Sequence, residues 1–504
     1  MTASLEKLEK QFHRIAQLDH ATTFLGWDQM VMMPNAGMAP RSAAMAELAS
    51  MRHELISSDA MGEWLEDATR ALNTGELDTE NARHVLEMQR TWQQAKALPA
   101  DLVHAQVIAG SKCEHAWRTQ KSADDWAGFL ENFREVVALS REEARCRQAQ
   151  RPDDFATPYD ALLDLHCTGD SQALISTVFS TLKAALPDLL SDVMDKQASR
   201  SRTELDGDYP IAEQQKLSEH LMHLLGFDFD SGRLDVSMHP FSTGVRGDQR
   251  ITTRYRTIDF ADALQATAHE TGHASYESGL PEQWQFYPVG NSRNMCIHES
   301  QSLFFEKQVF LSRAFGKFFI NAIHEHLPAT RAFSAEDIWQ SQTVVQPSFI
   351  RTEADEVTYP LHVMLRYDIE SALINGDIEP DAIPELWESS LQSYLGLSTQ
   401  GKHSIGCLQD IHWTDGAFGY FPSYTMGAVN AAQITATIKA ANPGWQKDFA
   451  AGDIGFARQW LAEHIWQHGS HLESQALMQS ATGQGSDAGF LITHLKNRYL
   501  EELD

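Results

Sequence analysis

Apolar side chains recur at intervals of three and four residues along most of the chain, which is the pattern of amphipathic α-helices. The first predicted helix ends near residues 26–28 and is followed by a loop that contains Pro34. Its apolar positions are Leu5, Leu8, Phe12, Ile15 and Leu18. The same periodicity, with interruptions, predicts helices up to the C-terminus.

Residues 41–150 are rich in Ala, Leu, Glu, Arg and Gln and contain almost no Gly or Pro. This composition predicts several long helices, one of which contains Trp92. Further helices are predicted over about 170–200, 211–225, 258–278 and 292–314. The chain is therefore predicted to be mainly α.

The pattern changes between residues 228 and 256, where β-branched and aromatic residues alternate with glycines. This stretch predicts two or three short strands in a small antiparallel sheet. Residues 401–427 form a second glycine- and aromatic-rich stretch, predicted to be loop with short strands. We find neither an internal repeat nor a low-complexity linker, so residues 1–504 are predicted to form one large helical domain.

The composition is that of a globular protein, with 42% hydrophobic and 22% charged residues. The formal net charge of −29 argues against binding to nucleic acid or to anionic membranes, which require a basic surface. The five cysteines include no Cys-x-x-Cys pair, which indicates a reducing compartment. The N-terminus lacks the apolar centre of a signal peptide, and we find no long apolar run, so we expect a cytoplasmic protein.

Residues His269 to His273 read His-Glu-Thr-Gly-His. On a helix, residues four apart lie on one face, so His269 and His273 can bind one metal ion. Neutral imidazoles suit zinc. Glu270, next to the first ligand, can reach a metal-bound water and serve as general base for hydrolysis.

A catalytic zinc usually has a third protein ligand. Glu299 is the best candidate, because it lies about 25 residues downstream in an apolar helix. Its neighbour His298 is a rival, but Glu299 completes the His/His/Glu set of one class of zinc peptidases. Glu306 lies on the same helical face and is predicted to support the ligands.

Two other histidine groups are weaker candidates. His464, His468 and His471 have helical spacing, but no glutamate follows His464 to act as base. We interpret them as a polar helix face. His324 and His326 lie too close in sequence to share a face of a helix.

Several further motifs occur together with this site. They are His239-Pro240-Phe241, Asp248-x-Arg250-x-Thr252, His298-Glu299-Ser300-Gln301-Ser302, Ile350-Arg351-x-x-Ala354-Asp355 and Gly406-x-x-Gln409-Asp410-x-His412-Trp413. With these motifs the chain resembles the Taq-type metallocarboxypeptidases over nearly its whole length. We find no departure from the family pattern at the named positions.

The resemblance implies a helical fold with a long, deep groove, similar in outline to neurolysin-type oligopeptidases. Residues 1–150 would flank this groove, and residues 228–427 would hold the metal site and the substrate-binding motifs. It further implies a zinc-dependent homodimer that removes C-terminal residues from peptides with broad specificity. The sequence does not determine the native metal, since cobalt or manganese can occupy similar ligands. The resemblance supports His269, His273 and Glu299 as ligands.

The reaction needs two further groups. An oxyanion requires a second electrophile, for which Tyr424 and His412 are the candidates. A carboxypeptidase also needs a cation for the terminal carboxylate, and arginine binds carboxylates best. Arg351 is the first choice and Arg250 the second. The alternative for both is a structural ion pair, with Asp355 and Asp248 as the expected partners.

Two other functions remain open from the sequence. An endo-acting oligopeptidase would use the same zinc chemistry but would also cleave peptides with a blocked C-terminus. A helical binding scaffold with a structural zinc would have four closed ligands and no need of Glu270 as a base. The preferred C-terminal residue and the natural substrates are not determined by these motifs.

Overall fold

A computed structural model describes residues 3–200 and 203–501 of the chain. Its N-terminal helices are α1 (Ala3–Val31), α2 (Met38–Ser57), α3 (Asp59–Asn73), α4 (Thr79–Lys96), α5 (Ala100–Ser122), α6 (Trp126–Gln150), α7 (Pro158–Leu163), α8 (Gln172–Ala198) and α9 (Ile211–Leu224). The mainly helical prediction is confirmed. The outer bounds of the predicted domain, residues 1 and 504, lie outside the described residues, and the division into parts stays a prediction.

The second half of the chain is helical again. Its helices are α10 (Ala261–Gly279), α11 (Met295–Leu303), α12 (Arg313–His326), α13 (Ala335–Gln342), α14 (Tyr359–Asn375), α15 (Ile383–Leu395), α16 (Pro422–Ala441), α17 (Trp445–Phe449), α18 (Gly455–His464), α19 (Ser474–Thr482) and α20 (Ala488–Lys496). The helix predicted over 292–314 is divided, because a π-helix (Phe304–Phe310) follows α11 directly. Residues 401–421 form turns and a short 3₁₀-helix rather than strands.

Three strands, β1 (Gly232–Val236), β2 (Phe241–Val245) and β3 (Asp248–Thr253), form a sheet in the order β1-β3-β2. The β2–β3 pair is an antiparallel hairpin, as predicted, whereas β1 pairs with β3 in parallel. The small sheet is therefore mixed. The connection from β1 to β2 reaches across two strand spacings, roughly 10 Å, which leaves room for β3 between them.

Two large apolar cores meet at helices α11 and α16. Cys296 of α11 and Met426 of α16 belong to one core, and Ile297 and Ile434 of the same two helices belong to the other. Helices α11 and α16 therefore pack along the boundary between the cores. A smaller core joins α1, α3 and α4.

Helix α8 is the one helix among the described residues whose length and composition would allow it to cross a membrane. Its side chains Phe179, Leu182 and Leu186 are fully buried in the first core. Lys183, on its other side, forms an ion pair with Asp368 of α14. We therefore interpret α8 as a core helix.

A cleft runs along α1. Its first part, of about 300 Å³, lies between α1 and the loop after α10, and Glu277 and Tyr287 line it. A second part, of about 590 Å³, lies between α1 and β2. Asp19 and Thr23 line both parts, so the two parts are neighbours along α1.

Candidate metal centre and active site

Helix α10 carries the first two candidate ligands. The rings of His269 and His273, one turn apart, lie edge to face with centroids 4.9 Å apart. Glu270, between them in sequence, is only 7% exposed. The predicted helix thus presents both imidazoles on one face and keeps the carboxylate beside them.

Glu299 of α11 lies opposite the two histidines. One ligand atom from each of His269, His273 and Glu299 falls within 4.8 Å of the others. Among the described residues, this is the only group of at least three His, Cys, Asp or Glu side chains that meets this criterion. The hydroxyl of Ser302 donates to the Glu299 carbonyl oxygen at 2.9 Å and lies 3.3 Å from Glu299 Oε2.

Two glycines allow α11 to approach its neighbours. A Cβ on Gly272 of α10 would lie 2.6 Å from the carbonyl oxygen of Gln301, and a Cβ on Gly427 of α16 would lie 2.4 Å from Glu299 Cβ. Such distances are sterically excluded. Glycine at these two positions therefore sets the position of Glu299 between α10 and α16.

The predicted supporting role of Glu306 agrees with its position. Its Oε2 lies 2.9 Å from His269 Nδ1, which leaves His269 Nε2 facing Glu299 Oε2 at 3.8 Å. Lys307 Nζ contacts the other oxygen of Glu306 at 2.6 Å. Both residues lie in the π-helix, and such irregular turns are frequent at functional sites.

His298, the rival ligand, is placed behind His273 instead. The Nδ1 atoms of the two rings lie 2.6 Å apart, and His298 Nε2 lies 2.8 Å from Glu277 Oε1. The Nε2 atom of His273, the ring nitrogen that does not contact His298, is therefore available to a metal ion. In the two weaker histidine groups, His464 hydrogen-bonds to the Trp460 carbonyl and His324 to the Phe333 carbonyl.

The electrostatics of the cluster favour a cation. Burial raises the pKa of Glu270 to about 7. Burial alone would lower the pKa of His269, but the hydrogen bond and charge of Glu306 outweigh it and raise this pKa to about 9. A divalent ion would displace the proton of His269 and favour the ionised form of Glu270, so binding releases protons.

An aromatic wall faces Glu299. Tyr424 Oη lies 3.5 Å from His412 Nε2, so the two candidate electrophiles are adjacent. The ring of Tyr420 lies 5.4 Å from that of Tyr424. Burial, together with the charge of Glu299, raises the pKa of Tyr420 to about 12 and that of Tyr424 further. Both phenols therefore keep their protons and remain hydrogen-bond donors.

Arg351 is buried beside this wall. Its Nε and Nη2 donate to Asp410 Oδ1 at 3.0 and 2.9 Å, and its Nη1 donates to the hydroxyl of Tyr359 at 2.7 Å. Arg366 binds the other oxygen of Asp410. Two guanidinium groups thus share one carboxylate, which leaves a net positive charge.

The expectation that Asp355 is the ion-pair partner of Arg351 was wrong. Asp355 instead accepts hydrogen bonds from the backbone N–H groups of Gln346, Val357 and Thr358. Its carboxylate is used by the turn that leads into α14. A local contact of this kind is favoured over a more distant ion pair because little chain has to be ordered.

Arg250, the second choice, forms the ion pair with Asp248 that was considered as its alternative role, at 2.5 and 2.8 Å. Its guanidinium lies 4.5 Å from the ring centre of Trp27 and 5.0 Å from that of Phe24, both on α1. These contacts join the sheet to α1.

Four residues of the site were missed from the sequence: Tyr359, Tyr420, Arg366 and Glu277. Tyr420 is one of the aromatic residues just before Tyr424, which was the one available signal for it. Glu277 lies four residues after His273 on α10, and this helical spacing was the signal for it. Arg366 is joined to the site through Asp410, a contact between distant segments.

Comparison with known proteins identifies the family. Residues 7–499 match the family described as carboxypeptidase Taq (M32) metallopeptidase. The chain belongs to this family. Thermostable carboxypeptidase 1 of Thermus thermophilus is 33% identical over 503 residues, which cover 97% of this chain and 98% of the relative. Carboxypeptidase 1 of Bacillus subtilis is 32% identical over 497 residues, 97% of this chain and 98% of the relative.

Solved structures agree. Metallocarboxypeptidase 1 of Trypanosoma cruzi superimposes with a TM-score of 0.96 at 36% identity, covering 99% of both chains. The M32 carboxypeptidase of Deinococcus radiodurans gives 0.94 at 31% identity with the same coverage. The protein is accordingly a metal-dependent carboxypeptidase that acts on peptides.

Proposed function

We propose that this M32 carboxypeptidase binds zinc through His269, His273 and Glu299. The convergence of these three ligand atoms within 4.8 Å is the observation that carries the proposal. The donor set fits zinc, since two imidazole nitrogens and one carboxylate leave a fourth position open. Cobalt and manganese accept the same donors and are expected to substitute.

The zinc, when bound, lowers the pKa of water and polarises the scissile carbonyl. Glu270 takes a proton from the attacking water and passes it to the leaving amine. Its pKa of about 7 without metal reflects burial, and a nearby cation keeps it ionised at neutral pH. Tyr424 and His412 then donate hydrogen bonds to the oxyanion, and Tyr420 is close enough to Tyr424 to hold it in place.

Arg351 is proposed to bind the terminal carboxylate of the peptide. The surplus positive charge of the Arg351–Asp410–Arg366 cluster supports this role, as does its position next to Tyr424. A fixed carboxylate site at one end of the centre selects the last peptide bond. The cleft along α1 would hold the upstream part of the peptide, with broad side-chain specificity.

Two substrates and one variant test the proposal. Glu270→Gln should retain zinc and lose turnover, because the amide cannot accept the proton. A peptide with a free C-terminus should be shortened residue by residue, while its amidated form stays intact in mass spectra. Equal rates on both peptides would favour the endo-acting alternative, and near-native activity of Glu270→Gln would remove it from the mechanism.

We further propose a cytoplasmic homodimer that binds neither nucleic acid nor membranes. The net charge of −29 supports the absence of anionic partners. Val103, Val107 and Ile108 form an exposed apolar face on α5 that a second copy would cover. Sedimentation should give about twice the mass of the 56.5 kDa chain, and Val107→Asp should reduce the dimer fraction if this face is the contact.

A further inference from the structure

The two histidines of the proposed zinc site are supported differently. His269 meets a carboxylate directly, through Glu306. His273 meets a second imidazole, and the carboxylate of Glu277 lies one step further away. We propose that Glu277, acting through His298, is a positioning residue for His273. This inference rests on the zinc site proposed above.

The proton positions follow from the ligand role of His273. If Nε2 of His273 gives its lone pair to the metal, its proton is on Nδ1 and is donated to His298 Nδ1. The proton of His298 must then be on Nε2, where it is donated to Glu277 Oε1. One carboxylate therefore fixes the tautomers of two imidazoles in series and raises the basicity of the ligand.

The geometry leaves this chain of hydrogen bonds little freedom. Glu277 lies four residues after His273 on α10, so both side chains leave the same helix face. The ring of His298 lies 4.6 Å from that of His273 and 5.3 Å from that of the buried Tyr276. Ser292 also hydrogen-bonds to Glu277, so the carboxylate is held from two sides.

Glu277 differs from Glu306 in its surroundings. The side chain of Glu306 is 11% exposed, whereas that of Glu277 is 36% exposed and lines the cleft along α1. The orientation of a metal ligand is thus set from the wall of the proposed substrate cleft. A change in this wall is therefore expected to weaken metal binding more than it lowers the stability of the fold.

The test compares metal affinity with stability. Glu277→Gln keeps the shape and the acceptor oxygen but removes the charge, and His298→Leu removes the connection. Both should weaken zinc binding by about 10–100-fold, measured by competition with a chromophoric chelator. The melting temperature of the metal-free protein should not change for Glu277→Gln. Glu282→Gln, an exposed glutamate three residues after α10, is the matched control and should bind zinc like the wild type.

Two further measurements separate positioning from a structural role. The visible spectrum of the cobalt-loaded protein should change in Glu277→Gln, and excess cobalt should restore its peptidase activity. Zinc affinity of Glu277→Gln within twofold of the wild type would overturn the inference. If the wild type itself binds no zinc, the proposed function fails rather than this inference.

Discussion

At the level of single residues, Arg351 shows how a buried charge is kept available. Asp410 is shared between Arg351 and Arg366, so it neutralises only one of two guanidinium groups. The hydroxyl of Tyr359 occupies a further N–H of Arg351 without adding charge. The cluster is therefore ordered without a ligand, and the proposed binding of a peptide carboxylate to Arg351 would have a lower entropic cost.

Arg351→Ala should lower kcat/KM for peptides with a free C-terminus by roughly 10–100-fold, since hydrogen bonds to charged groups contribute about 1.5–3 kcal/mol. Arg351→Lys should recover part of this loss by restoring the charge but not the planar fork. The measurement is steady-state kinetics on one peptide series. Arg250→Ala, which removes a guanidinium paired with Asp248, should lose less. Equal losses of kcat/KM in both alanine variants would show that Arg351 is not the specific binding site for the terminal carboxylate.

How well each site residue could be predicted depends on how far its partners lie from it along the sequence. The spacing of His269 and His273 is a property of one helix turn, so the sequence predicts their convergence. Glu299 could also be predicted as a ligand, because it lies on the helix that follows α10 after one loop. The pairing of Arg351 with Asp410 depends on how the loop after α15 folds back, and no local pattern contains that information.

At the level of elements, α11 is packed closely between α10 and α16. Gly272 and Gly427 lie against it from both sides with no space for a methyl group. Periodicity predicted α10 well, because it is a long helix, but it did not predict that the helix over 292–314 is divided after α11. It did not predict the direction of β1, since a strand pattern is the same for parallel and antiparallel pairing.

Gly427→Ala should push α11 away from α16 and move Glu299. We expect a loss of about 1–3 kcal/mol in the free energy of unfolding, together with weaker zinc binding. Gly316→Ala, on the open surface of α12, is the matched control, because a methyl group there meets nothing within 4 Å. That control should be neutral or up to about 1 kcal/mol more stable, since alanine favours helices. Urea unfolding of both variants decides between these outcomes.

Glu370 of α14 holds three separate segments together. Its carboxylate accepts hydrogen bonds from the Tyr159 hydroxyl at 2.6 Å, the Trp413 indole at 2.9 Å and the Gly419 N–H at 3.2 Å. Burial raises its pKa from 4.5 to about 7. The segment that carries His412 and Tyr420 is thus fixed to the core by one buried carboxyl group.

The raised pKa of Glu370 determines the direction in which stability changes with pH. The folded state binds the proton more tightly, so the contribution of Glu370 is fully present below about pH 4.5 and is lost as the pH rises through about 7. The wild type should lose roughly 3 kcal/mol across this range relative to Glu370→Gln, which does not titrate. Unfolding of both proteins in urea at several pH values measures the difference. A difference that stays constant with pH would contradict the assignment.

At the level of the whole molecule, charge and cleft act together. The net charge of −29 surrounds a cleft that contains both Asp19 and Arg52, which form an ion pair. The charges that line the cleft are therefore close to balanced. The long-range electrostatic field comes from the remaining surface. Such a field attracts cationic peptides and repels anionic ones before any contact is made.

Peptides that carry upstream lysines should be cleaved with a kcat/KM that falls as salt is added. Peptides of equal length with upstream glutamates should show the opposite trend, because salt screens their repulsion. The Debye length of about 10 Å at 0.1 M sets the range over which the change occurs. Initial rates at several sodium chloride concentrations provide the measurement, and identical salt dependence for both peptides would show that only local contacts matter.

The π-helix Phe304–Phe310 has a consequence for how this protein can evolve. Glu299 and Glu306 reach the same imidazole, one from α11 and one from the widened turns that follow it. Insertion or deletion of one residue between them would rotate Glu306 by roughly 100° around the helix axis and remove it from His269. Replacements in this segment are compatible with the centre, whereas changes in its length are not. Related sequences should therefore align without gaps from Glu299 to Glu306.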